Sequence, residues 1–71
     1  MVLTRNQRVR LALALMDYAY FTPKHLALLT DEEILELAQN IYNQIENGTL
    51  SPLQNIEEEK FTEVFEKAIK A

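Results

Sequence analysis

The stretch Arg8–Pro23, RVRLALALMDYAYFTP, carries two arginines, then a run of apolar residues broken once by a charge, at Asp17. It has to be a leader, a membrane segment, a core helix or a surface that awaits a partner. A secretory leader needs an apolar stretch of about 7–15 residues followed by small residues at a cleavage site. Leu11–Met16 is six residues long, and Tyr18, Tyr20 and Phe21 stand where the small residues belong. A spanning helix needs about 20 apolar residues, which this run lacks. The expectation is a soluble, cytoplasmic protein with no membrane segment.

Helix signals surround the stretch. Thr4 with Gln7 three residues later reads as a capping box. The first helix is expected from there to about Tyr20. Thr22-Pro23 is a second start, with the hydroxyl at the cap and the proline at the first helical position. It opens a short helix expected to reach about Leu29. Thr30-Asp31-Glu32-Glu33 is a second capping box, and its acids suit the positive end of the helix dipole. That helix should run to about Asn47, where Gly48 supplies the left-handed cap. Asn47-Gly48-Thr49 fits a glycosylation pattern, but here it reads as a turn. After a connection containing Ser51-Pro52, a last helix should begin between Pro52 and Ile56 and end at Lys70. Its first turn would hold Glu57, Glu58 and Glu59, and its last Lys67 and Lys70. The fold class expected is all-α: one domain over residues 1–71, a small bundle of three longer helices plus one short helix.

Apolar spacing separates the helices. Ile34, Leu37, Ala38, Ile41 and Ile45, flanked by Leu35 and Tyr42, form a one-sided stripe, as do Phe61, Val64, Phe65, Ala68 and Ile69. The first helix is different. Leu11, Leu15, Ala12, Met16, Val9, Tyr20 and Leu13 spread over more than half its circumference, leaving a narrow seam of Asn6, Arg10 and Asp17 with Ala14 between them. A helix apolar nearly all round has to be covered on most sides. Leu26, Leu28 and Leu29 of the short helix also need cover. Three companion helices are too few for the task, so a strip of apolar surface should remain, and large patches of that kind mark contacts with other proteins.

Size points the same way. A chain of 71 residues buries only roughly 60% of its unfolded surface, and such domains are usually stapled by disulfides, a metal or a partner chain. There is no Cys, which removes disulfides and thiolate metal sites, and His25 is the only histidine, which removes a multi-histidine zinc site. No metal and no cofactor is expected. What remains is association, or very efficient helix packing. The partner expected is a protein, in the first place the chain itself as a homodimer, through Leu11, Leu15, Met16, Tyr18, Tyr20 and Phe21. Aromatic residues bring area and a polar tip to such contacts.

Catalysis has little material. Ser51 is the only serine, and neither it nor His25 lies in a nucleophile elbow or a glycine-rich context. One glycine cannot build a phosphate loop. Taking Gly48 as the glycine of a calcium loop would make Asn43, Ile45 and Asn47 ligands and Gln54 the bidentate residue, and that set lacks the carboxylates such loops require. The chain is expected not to be an enzyme.

Charge supports a rival class. The net charge of −4 is divided unevenly. Residues 1–29 carry Arg5, Arg8, Arg10 and Lys24 against Asp17, a balance of +3, and residues 30–71 carry Lys60, Lys67 and Lys70 against ten acids, a balance of −7. The halves can attract one another inside one fold, or the basic half can bind nucleic acid. The alternative is therefore a small helical DNA-binding regulator using Arg5, Arg8, Arg10 and Lys24. Against it, a helix entering a groove from Asp31-Glu32-Glu33 would repel phosphates. In size and acidic helical composition the chain resembles compact bacterial or phage accessory proteins.

Overall fold

Four helices are present in the computed structural model: α1 (Arg5–Tyr18), α2 (Pro23–Ala27), α3 (Asp31–Asn47) and α4 (Glu58–Lys70). It describes residues 3–50 and 56–70, and no strand occurs among them. The helices begin where side chains satisfy their first amides. Thr4 Oγ1 accepts the Gln7 N–H at 3.1 Å while Gln7 Oε1 accepts the Thr4 N–H at 2.9 Å. Thr30 and Glu33 exchange the equivalent pair at 3.2 and 2.9 Å. That reach-back holds the Glu33 carboxyl below its usual range, first through the Thr30 backbone N–H and then through its hydroxyl. At α2, Thr22 Oγ1 accepts the His25 N–H at 3.2 Å and Pro23 fills the first turn.

The helix ends explain the differences from the sequence reading. α3 stops as expected, on Gly48 at φ +68°, with the Thr49 N–H donating to the Gln44 carbonyl at 2.9 Å. α1 stops two residues short of Tyr20 because Tyr20 itself takes the left-handed conformation, φ +59°, and the Phe21 N–H turns back to the Leu15 carbonyl at 3.0 Å. A left-handed tyrosine is an outlier that composition does not announce. α2 ends at Ala27 rather than Leu29. α4 begins at Glu58, later than expected, because the Glu57 N–H donates to the Tyr18 carbonyl at 2.9 Å and Glu57 accepts the Phe61 N–H as the residue before the helix. The expected start at Pro52 lies outside the described residues.

One apolar cluster joins the helices: Leu3, Leu11, Ala14 and Leu15 around α1, Leu26 of α2, Ile34, Ala38 and Ile41 of α3, and Phe61, Phe65 and Ala68 of α4. The expected stripes of α3 and α4 supply its floor, except for Ile69, which is exposed near the end of α4. Stacked rings tie them, with Tyr42 and Phe65 centroids 4.6 Å apart. Tyr42 Oη donates to Glu66 at 2.8 Å, and that carboxylate acceptor raises the phenol above its ordinary range. The two charge halves meet at one corner, where Arg8 pairs with Asp31 and its second nitrogen donates to the Leu29 carbonyl at 2.9 Å, satisfying an acceptor in the α2–α3 turn. The Cα radius of gyration, 11.2 Å, is that of a close-packed chain of this length, about 11 Å.

Candidate partner interface

α1 packs on α3 and α4, which also pack on each other, and more lightly on α2, and its four buried positions are Gln7, Leu11, Ala14 and Leu15. Successive residues turn by about 100° on a helix, so these four define one face. Val9 and Leu13 project from the opposite face, and both are about half exposed, at 48% and 46%. α1 thus carries apolar side chains both inward, at Leu11 and Leu15, and outward, at Val9 and Leu13.

This corrects the list of contact residues read from sequence. Leu11 and Leu15 are 0% exposed within the single chain. They sit on the α3–α4 side and offer no surface to a partner. Ala14 joins them in the core, although it lies within the seam expected to be polar. Met16, Tyr18 and Phe21 are half-buried and Tyr20 is exposed. They do not form one patch. Met16 lines a depression with Ala12, Pro23 and Leu26 on the α2 flank. Tyr18 lines a groove of about 250 Å³ on the α4 flank, with Arg10, Leu13, Asp17, Val64 and Lys67. Tyr20 and Phe21 rim a larger groove, about 600 Å³, over Leu37, Ile41 and Ile56 of the α3 side. Tyr20 Oη reaches Glu57 at 3.5 Å, a long contact.

The residues that sequence reasoning passed over are Val9 and Leu13. Both were counted as apolar circumference, yet neither was chosen as a contact. The signal was available: each stands about 160° from Leu11, near the centre of the buried face. Leu28, 82% exposed at the end of α2, is a further apolar residue in solvent.

The basic residues of the rival reading diverge. Arg8 is committed to Asp31 and Leu29. Arg10 leaves α1 about 160° away from Arg8 and rests on Asn6 at 3.4 Å. Arg5 is exposed on α1 and Lys24 on α2. His25 stacks on Phe21, ring centroids 5.8 Å apart, with an exposed edge. Among the described residues no three His, Asp or Glu side chains gather in a way that could hold a metal ion, and no helix is long and apolar enough to cross a membrane. No family model, curated protein or solved structure matches the chain.

Proposed function

We propose that this chain is a non-enzymatic interaction module, a small cytoplasmic regulatory or accessory protein that self-associates through the outer face of α1 and works by binding protein. One observation carries the reading: Val9 and Leu13 stand half exposed on a helix whose other face is already full. Met16 and Tyr18 line separate depressions on the two flanks of that helix, and Tyr20 and Phe21 rim a third past its end. A strip like this on so small a chain gains more by being covered than by remaining wet, since each Å² of apolar surface removed from water contributes about 25 cal/mol.

The test is Leu13→Glu, followed by sedimentation and circular dichroism. Leu13 touches solvent, so the variant should keep its helical signal and its melting temperature within a few degrees, while any dimer of the wild-type chain dissociates. A wild-type chain that is monomeric at all concentrations, or a dimer indifferent to Leu13→Glu, contradicts the reading.

A further inference from the structure

We propose that the occupant of the α1 outer face is a second copy of this chain laid antiparallel, with each Arg10 meeting Asp17 of the other copy. This rests on the self-association reading above and adds its geometry.

Val9, Leu13 and Met16 recur at four and then three residues, the spacing of a seam at which two helices pack. Arg10 and Asp17 are seven residues apart, so both lie along the same edge of that seam. Both line the α1–α4 groove beside Leu13, and both are exposed. Among the described residues neither belongs to an ion pair. The nearest cation on α4 is occupied: Lys67, in the same groove, is held by Glu63 at 2.8 Å.

The edge therefore reads plus, then minus, from the start of the seam to its end. A two-fold axis that reverses the direction of one helix places plus against minus, and symmetry makes the contact twice. The same operation sets Leu13 close to Met16 of the second copy. A parallel pair does the reverse: the edge residue Arg10 then faces Arg5 of the second copy across the seam, a like-charge contact. Charge order thus selects the antiparallel arrangement.

Charge exchange in the full chain tests this by sedimentation equilibrium. Arg10→Glu and Asp17→Arg each convert two attractions into two repulsions, and each should weaken the dimer about tenfold or more. Mixing these two variants restores both attractions at once, so the mixture should associate about as tightly as the wild-type chain although neither component does alone. Circular dichroism verifies that both variants are folded, as expected of two exposed positions. A mixture no tighter than its components overturns the antiparallel pairing. So does an Arg10→Glu dimer that is unchanged or tighter, which is the parallel result and leaves self-association standing. A wild-type chain that stays monomeric overturns both.

Discussion

Tyr20 and Gly48 hold the same left-handed backbone at the ends of α1 and α3, and only glycine does so without steric cost. An added Cβ at Gly48 meets nothing within 4 Å, so Gly48→Ala tests the backbone term alone. It should destabilise the protein by about 1 kcal/mol, lowering the melting temperature by about 4–8 °C. Thr62 presents the opposite case: its hydroxyl is buried and has no hydrogen-bond partner among the described residues. Thr62→Val keeps the shape and removes the unsatisfied group, so it should raise stability by about 1 kcal/mol in a denaturant titration. Glu33 contributes to acid sensitivity. Its carboxyl is held below the ordinary value by the Thr30 amide and hydroxyl, so the charged form is favoured in the folded chain. A lowered folded-state pKa contributes stability above the ordinary carboxylate value, and that contribution is lost as pH falls through the lowered one. Glu63, held down by Lys67, acts in the same sense. Melting temperature should therefore fall on acidification below about pH 5, and Glu33→Gln, whose amide oxygen keeps the cap, should flatten part of that slope.

Helices differ in how openly their sequences declare them. The caps at Thr4, Thr22, Thr30 and Gly48 were legible because each rests on a local hydrogen bond between residues three or four apart. The stripes of α3 and α4 were legible for a similar reason: one face is apolar and the other charged, so the buried side is unambiguous. α1 gives no such instruction. Leu11 and Leu15 are as apolar as Val9 and Leu13, and only the positions of α3 and α4 decide which pair is enclosed. Leu11 and Leu15, expected as contacts, are enclosed, and the apolar residues of α1 left in solvent are Val9 and Leu13. The end of α1 was misplaced because it depends on a strained tyrosine and on an amide from Glu57, far away in sequence. This division makes a paired prediction. Leu15→Glu buries a charge in the core and should unfold the chain, by circular dichroism at 25 °C, because an unpaired buried charge exceeds the thin margin of a domain this small. Leu13→Glu, two residues away on the opposite face, should leave the fold intact.

For the molecule as a whole, charge asymmetry resolves into an internal contact and a leftover. Arg8 and Asp31 join the basic and acidic halves at the α2–α3 corner. Arg10 and Asp17 remain in solvent on α1, the helix that also exposes Val9 and Leu13. Val9 and Leu13 stay half exposed on that helix, and on the reading proposed above a second copy covers them. Sedimentation equilibrium of the wild-type chain, from about 1 µM to about 1 mM, addresses this in a single series. The mass should rise with concentration from 8.3 kDa toward twice that value. A mass that holds at 8.3 kDa across the whole range would show that the exposed face of α1 needs no second copy.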